Sequence, residues 1–572
     1  MAEYLSPGVF VEEFNDDRNV IEGVGTSTAG FVGLATRGPV TGKPVRIQSP
    51  TDFGYQFGRY LDISVKYRYL AYGVEQFFAN GGSSCYVMRV ASSQDTVAAM
   101  ELAHEGIRLH MEAGSVGEWG NEIRISLEKQ QLFKTNILEE ARDEKQQIFR
   151  VKSSSGFEAG DLVELVSSEG NEYNRIVRVL DGALELEHAF TIPYVDNTPV
   201  PSISLHRIGF DLLAKCDDIK EAYRITLNPA AADFVNRVTA NGILLHASFS
   251  AEDEAENGLS AWMAKFHLDN TAYTGFLKDG KTFPAEDAAL FLGEDNGPGK
   301  RSGLHAFKEI DDVSIMAMPG VTVPEIQRAL IAHCETMENR FAILDMPQDT
   351  HTSDEMLRHR SYFDSSYAAI YHPWLNMFDS VKKKNCYFPP SASVAGVYAR
   401  VDCSRGVHKA PANEVLRQCV GLSVDYNEGT QSTVSPKGIN LIRSLPGQGI
   451  RVWGARTMSS DSPWKYINVR RLLIYVKESI RAATSWVSFE PNDANLWARA
   501  DRTIRMFLDT LWRNGALAGS SADEAFFINI GPSTMTQDDI LNGRLICEIG
   551  IAPIRPAEFE MFQITHNTNE HL

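Results

Sequence analysis

The chain has 572 residues, of which 43% are hydrophobic and 23% charged, enough for two to four domains with sizeable buried cores. Its 55 basic and 74 acidic residues give a formal net charge of −19, which argues against nucleic-acid binding over a broad basic surface. The seven cysteines are scattered without a Cys-x-x-Cys pair, so we expect reduced thiols and neither disulfides nor structural zinc.

The first predicted element is a short strand near the amino terminus. Pro7-Gly8 is a turn signal, and β-prone apolar residues mixed with acids follow in the segment 9–14. The opening residues have no basic and apolar regions of a signal peptide, and no window approaches 18 unbroken apolar residues. We therefore expect a protein that is made and folded in the cytoplasm without inserting into a membrane.

A strand-helix-strand unit is predicted next, with strands at 30–35 and 85–90 and a helix at 65–79 that Asn80-Gly81-Gly82 closes. From 119 to about 205 the sequence becomes rich in β-prone segments and glycine turns. This change predicts a small β-rich domain inserted into an α/β core.

The middle of the chain alternates strands and helices. Acidic and glycine-rich residues at 293–299 predict the loop that returns to the core. Apolar runs at 312–318, 341–345 and 367–371 are separated by helical patterns, of which the first begins at Pro324. Fully apolar strands that alternate with helices predict a parallel sheet covered on both faces.

Two amphipathic helices are predicted near the carboxyl terminus, at 466–487 and 492–514, the second capped by Gly515. With Lys465 directly before it added, the first carries five basic residues against one acid outside its apolar stripe: Lys465, Arg470, Arg471, Lys477 and Arg481. Ordinary solvation accounts for such a face, but on a chain of this net charge it also favours an oppositely charged partner.

The last predicted element is a strand beyond Pro556, where apolar side chains crowd within a few residues of the end. These two terminal strands are the most distinctive feature of the sequence, because ends usually fray. Each either docks on its own sheet or completes the sheet of a neighbouring subunit. The side chains that would pair are Val9, Phe10, Val11 and Glu12 at one end and Phe559, Met561, Phe562 and Ile564 at the other.

Three catalytic motifs fail on inspection. Gly25-Thr26-Ser27-Thr28-Ala29 spells a subtilase nucleophile turn, but no histidine precedes it and a strand pattern follows it. The segment 297–302 lacks the first glycine and the Ser or Thr of a phosphate loop, and 447–452 has only two glycines of a dinucleotide fingerprint. We expect no cofactor.

The best remaining candidates for a catalytic or metal site are Asp345, Asp349, His351 and His372, near the ends of predicted parallel strands. Aspartates in such positions also form turns and caps. The run Lys382-Lys383-Lys384 stands without interleaved aromatic residues, which is typical of a solvated loop.

Several motifs in combination resemble the tail sheath proteins of contractile phages and related injection systems. They cover about two thirds of the chain and occur in the family's order. In the first half they are 4–13, 31–39, 77–82 and 119–121, and in the second half they are 389–396, 406–413, 438–440, 449–457 and 464–471.

The resemblance implies an α/β (α+β multidomain) fold, whose parallel-sheet core has subtilisin-like topology without the catalytic triad, with an inserted β-rich outer domain and extended terminal strand arms. The implied organisation is an N-terminal arm at 1–22, a core at 23–95 and 305–445, an inserted outer region at 96–304, a tube-facing C-terminal domain at 446–550 and a C-terminal arm at 551–572.

The resemblance also implies a structural function without enzymatic chemistry. Subunits of this family polymerise as stacked six-membered rings around an inner tube, exchange arm strands, and contract to drive the tube through a target membrane. Expected partners are other copies of the chain, the inner tube protein, baseplate and terminator or cap proteins, and sibling sheath proteins. The five basic residues of the first amphipathic helix would face the tube.

Two other functions stay open from the residues alone. One is an α/β enzyme with a site near Asp345 and His372, and the other is an adhesin that uses the inserted β domain. The sequence does not distinguish a phage tail from a bacteriocin or a cellular injection system.

Overall fold

The computed structural model describes residues 21–558, apart from 59, 61–63, 140–146, 168–169, 190–203, 252–257, 270, 286 and 489. The first elements are β1 Ala29–Leu34, β2 Val45–Ile47, α1 Pro50–Phe57, α2 Tyr69–Ala79 and β3 Cys85–Val90. The next group is β4 Ala99–His104, β5 Ile107–Ala113, β6 Arg124–Glu139, β7 Ile148–Val151, β8 Leu162–Ser167, β9 Gly170–Leu180, β10 Ala183–Leu186, β11 Ser204–Cys216, β12 Ile219–Ile225, α3 Val235–Val238, β13 Leu245–Ala251, α4 Gly258–Lys265 and β14 Tyr273–Phe276.

The chain continues with β15 Ile315–Ala317, α5 Pro324–Met337, β16 Phe341–Asp345, α6 Ser353–Arg360, β17 Ala368–His372, β18 Leu375–Asp379, β19 Lys384–Phe388, α7 Ser391–Arg405, β20 Glu414–Val415, β21 Gly421–Leu422, α8 Glu428–Val434, β22 Ile439–Leu445 and β23 Gly449–Val452. The last elements are α9 Ile467–Ala483, α10 Ala494–Arg513, α11 Ala522–Ala525, β24 Phe526–Ile530, α12 Gln537–Leu541 and β25 Cys547–Ile551.

The largest sheet in the described part of the chain has the order β2-β3-β1-β15-β16-β17-β22-β23-β20. Its inner strands from β3 to β22 are parallel, as their apolar runs predict. Alternate side chains enter two buried clusters, with Phe31 and Ile343 on one face and Val32 and Leu344 on the other. Helices cover both faces, because fully apolar strands expose no polar side to water.

The sheet includes β23, which lies beyond residue 445, the predicted end of the core. Strand β22 turns back into β23, which pairs with it and with β20. The motif at 449–457 therefore begins within the sheet, in β23, before the chain reaches α9.

The inserted region contains a closed barrel. Strands β11, β8, β9, β10, β7 and β6 pair in that order, and β6 pairs with β11 to close the ring. Strands β12 and β14 extend the barrel sheet, and β13, β5 and β4 form a separate three-stranded sheet. These elements run from β4 to β14 and so extend beyond the β-rich segment predicted from 119 to about 205 at both ends. Closure leaves the barrel strands without free edges.

The carboxyl-terminal unit is built from α9, α10 and the antiparallel pair β24–β25. Both helices match their predicted apolar stripes, since Leu472 and Val476 of α9 and Ile504 and Leu508 of α10 lie in one buried cluster. Gly515 has φ +76°, as expected of the residue that ends α10.

Candidate functional site

The predicted pairing side chains of both terminal strands, Val9 to Glu12 and Phe559 to Ile564, lie outside the described residues. The structure does describe the two segments that lie nearest to them in the sequence. We call residues 21–26 the N-root and residues 552–558 the C-root.

The N-root packs against helix α9. Ile21 lies in the buried cluster of that helix, and the Val24 N–H donates to Ser479 Oγ at 3.1 Å. Arg471 Nη2 donates to the Thr26 carbonyl at 2.9 Å. Gly23 lies so close to Tyr475 that a Cβ on it would approach the Tyr475 Oη to 1.9 Å. The N-root is therefore seated on one face of α9 at a position that requires glycine.

The C-root ends at Glu558, whose carboxylate accepts hydrogen bonds from two other side chains. Arg456 donates to both Glu558 oxygens, Nε to Oε1 at 2.7 Å and Nη2 to Oε2 at 2.6 Å. Tyr466 Oη donates to the same Oε2 at 2.9 Å, and Lys465 Nζ lies 3.5 Å away. Burial alone would raise the pKa of Glu558, but hydrogen bonds from Arg456 and Tyr466 outweigh it and lower the pKa. Asn468 Nδ2 also donates to the Ile554 carbonyl at 3.0 Å.

A two-stranded sheet lies beside the C-root. Strands β24 and β25 pair antiparallel from Phe526↔Ile551 to Ile530↔Cys547. Neither pairs with another strand among the described residues, so each has an outer edge of backbone donors and acceptors. Phe526 and Ile528 are buried, whereas the side chain of Phe527 is 54% exposed on the opposite face. The buried face of the pair packs on α10, because Phe526 and Ile528 lie in one cluster with Ile504 and Leu508.

Two of the five basic residues predicted to face a tube lie against the subunit itself. Arg471 is 4% exposed and forms a bidentate ion pair with Asp402, with Nη1–Oδ1 at 2.9 Å and Nη2–Oδ2 at 2.5 Å. Arg470 is half-buried, with its guanidinium carbon 3.6 Å from the centroid of the Trp464 ring. The prediction of an outward role is wrong for Arg471, because its guanidinium is enclosed by Asp402 and the ring of Tyr398, both distant in the sequence.

The other three basic residues are accessible but already paired. Lys477 forms an ion pair with Glu338, and Arg481 pairs with Glu478 at 2.5 Å. Lys465 belongs to the group around Glu558. The acids come partly from other elements, so counting charges along one helix overstated the positive charge of this face.

Helix α10 carries a basic stripe that the sequence analysis did not single out. Arg499, Arg502, Met506 and Arg513 fall within a sector of about 60° at 100° per residue, and all four are exposed. Arg499 lies over the Trp486 ring at 4.4 Å and Arg513 pairs with Asp509, while Arg502 makes no ion pair with a described residue. The signal was the arginine spacing opposite the apolar stripe.

The candidate catalytic residues occupy structural positions. Asp345 is buried and accepts hydrogen bonds from Gly320 N at 2.9 Å, Ser391 N at 2.8 Å and Ser391 Oγ at 2.7 Å. Burial raises its pKa to about 6. These contacts tie the end of β16 to the start of α7, so the carboxylate acts as a cap.

His372 is also buried, and burial lowers its pKa to about 4. Its Nε2 lies 3.0 Å from both the Thr350 carbonyl and the Tyr426 hydroxyl. Asp349 and His351 are exposed and join neither buried group. The predicted cluster therefore does not form a site in the structure.

One group of possible metal ligands occurs in the described part of the chain, formed by Glu122, Cys216 and Asp217. Burial raises the pKa of the Cys216 thiol to about 11, and the Arg37 guanidinium interacts with both Cys216 and Asp217. A protonated thiol beside a cation disfavours a metal ion. None of the described helices combines the length and apolar character that a membrane crossing needs.

Comparison with known proteins gives consistent results. A model of the phage tail sheath protein central domain matches residues 296–458, and a model of the phage tail sheath C-terminal domain matches 459–567. A prophage major tail sheath protein of Pseudomonas aeruginosa strain UCBPP-PA14 is 23% identical over 49% of this chain and 73% of its own length. The tail sheath protein of Burkholderia phage BcepMu is 24% identical over 50% of this chain, which spans 62% of that relative.

Among solved structures, the sheath complex of an extracellular contractile injection system, PVC, in its contracted state has a TM-score of 0.53. The sequences are 21% identical, and the match covers 100% of both chains. At this identity the likeness concerns the fold, including the inserted region.

Proposed function

The chain belongs to the contractile tail sheath family, and we propose that it polymerises as stacked hexameric rings around an inner tube. It is a structural subunit of a contractile phage tail or injection system and not an enzyme. The observation that carries the proposal is the two-stranded sheet β24–β25, which offers open edges beside the C-root.

In the proposed polymer, arm strands from neighbouring copies add to β24 and β25. The arms contain closely spaced apolar side chains, Val9, Phe10 and Val11 at one end and Phe559 and Met561 at the other. Strand addition would extend the two-stranded sheet to three or four strands and bury apolar side chains such as Phe527. Backbone hydrogen bonds would then link every subunit to its neighbours.

We propose that the carboxyl-terminal unit within 446–550 faces the inner tube. Lys477 and Arg481 stay candidates on α9 because their side chains are 49% and 64% exposed. Arg499 and Arg502 on α10 are added, because exposed arginines in one stripe suit an acidic partner surface. The closed barrel of the insertion would lie on the outside of the sheath.

The proposed mechanism stores free energy in the assembled, extended polymer. A signal from the baseplate would release a shorter, wider state with more contact between subunits, and the difference would drive the tube through a membrane. The core, for which we also propose subtilisin-like topology, would supply a rigid body for this motion. Assembly would take place in the cytoplasm, with baseplate, terminator and tube proteins as partners.

The experiment that tests the proposal is deletion of one arm. Chains that lack residues 1–14 or 559–572 should stay folded, because the described core and both roots are intact, but should form no sheath by negative-stain electron microscopy. Normal sheaths from either deletion would contradict the proposed strand exchange.

A further inference from the structure

Both arm roots are held by the same helix. The N-root contacts Arg471, Tyr475 and Ser479 in the middle and second half of α9. The C-root contacts Asn468 in its first turn and Tyr466 at its N-cap. From Asn468 to Ser479 the helix rises about 16 Å at 1.5 Å per residue. Helix α9 alone thus sets the distance between the points at which it contacts the N-root and the C-root.

Helix α9 is itself locked to the core. Arg471 forms its buried ion pair with Asp402 of α7 and at the same time donates to the Thr26 carbonyl of the N-root. The same side chain therefore joins the core, the helix and the N-root. Ion pairs of this depth hold a fixed geometry, because breaking one leaves an uncompensated buried charge.

The C-root has an equivalent lock. Arg456, whose side chain is 7% exposed, holds the carboxylate of Glu558 bidentately, and the segment around Arg456 bridges to Tyr466 at the start of α9. The planar guanidinium fixes the orientation of the carboxylate as well as its distance. Glu558 is thus oriented at the point where the C-root ends.

We infer that α9 is a common anchor that fixes the two arms at a set separation and direction, with Arg471 and Arg456 as positioning residues. This inference rests on the proposed function, because α9 can affect the assembled sheath only if the arms link subunits. Two arms that leave one rigid helix tie the positions of two neighbours to each other. The anchor therefore controls the lattice of the sheath, whereas the arm strands themselves supply the binding.

Two variants loosen one root each and leave the side chains that are predicted to pair, Val9 to Glu12 and Phe559 to Ile564, unchanged. Gly23→Ala forces a Cβ against Tyr475, and its control is Gly25→Ala, where a Cβ would meet nothing within 4 Å. Glu558→Gln keeps the side-chain shape but removes the charge that Arg456 holds, and its control is Glu128→Gln, an exposed residue of the barrel strand β6. Thermal denaturation of the unpolymerised chains verifies folding.

Sheath assembly with an inner tube protein is then compared across the four variants and the two arm deletions by electron microscopy and sedimentation. We expect Gly23→Ala and Glu558→Gln to form sheaths with broadened helical rise and twist. The subunit concentration for half-assembly should rise about tenfold, or ~1.4 kcal/mol. Hydrogen exchange at the Val24 amide should accelerate in Gly23→Ala but not in Gly25→Ala.

The outcomes separate the two ideas. If arm deletions abolish assembly while both root variants give wild-type lattices and concentrations, the anchor inference is wrong and strand exchange stands. If the deletions assemble normally, the proposed function is wrong. Because Glu558→Gln keeps the side-chain shape and removes only a charge on a side chain that is 20% exposed, it tests the inference even if Gly23→Ala fails to fold.

Discussion

The buried position of Arg471 predicts a large and specific stability effect. Asp402→Asn keeps the shape of the side chain but leaves the guanidinium without its counter-charge, at a site where the two side chains are 4% and 3% exposed. Two charges about 4 Å apart interact by about 4 kcal/mol at an effective dielectric of 20, and broken buried pairs cost about 3–5 kcal/mol. The unpolymerised subunit should therefore lose about 3–5 kcal/mol of unfolding free energy.

The assay is thermal and denaturant unfolding of the subunit in a double-mutant cycle with Arg471→Met. The double variant should recover part of the loss, because it removes the unpaired charge. Glu338→Gln is the matched control: its pair with Lys477 is 52% and 49% exposed, so the change should stay within about 1 kcal/mol. A loss below about 1 kcal/mol for Asp402→Asn would refute the inward position of Arg471.

Three further predictions concern other groups. Asp345→Ala should lower the unfolding free energy by about 3 kcal/mol in thermal denaturation, because two buried donors of Ser391 and the partly buried Gly320 N–H lose their acceptor; an unchanged midpoint would contradict the capping role. Burial lowers the pKa of His333 to about 3 and that of His359 to about 4, so the unfolded state binds more protons between about pH 4 and 6.5 and stability should fall as pH drops through that window. A flat stability profile across this range would argue against neutral buried histidines. Charge reversal of Arg499 and Arg502 should weaken tube-templated assembly in a salt-dependent way, and undiminished co-sedimentation with tube would remove α10 from that interface.

The elements that the sequence predicts well are those with a strong local period. Strands β3 and β16 match their apolar runs, and α9 and α10 follow stripes of four to five turns. In each case the pattern is repeated often enough that tertiary contacts reinforce it instead of overriding it.

The features that the sequence did not predict depend on contacts between residues far apart in the chain. Arg471 reads as one of five outward charges because its partner, Asp402, is 69 positions away and belongs to another helix. The pairing of β6 with β11 that closes the barrel is equally invisible to local patterns. Asp345 and His372 looked like a site because strand ends collect ligands, but their environments make one a cap and the other a buried neutral side chain.

The sequence predicted the terminal strands of the candidate assembly surface but not the sheet that would receive them. The terminal strands stood out because apolar residues crowd the chain ends. Their expected receiver did not, because β24 and β25 are short strands separated by residues 531–546, which include α12. Its significance comes from its unpaired edges, which only the three-dimensional arrangement reveals.

The most direct test is electron microscopy of the purified chain, alone and with an inner tube protein, beside the chain that lacks residues 559–572. The account predicts hollow striated cylinders from the full chain, longer and more regular with tube present, and none from the shortened chain. Discrete, monodisperse particles from the full chain in both samples would contradict it.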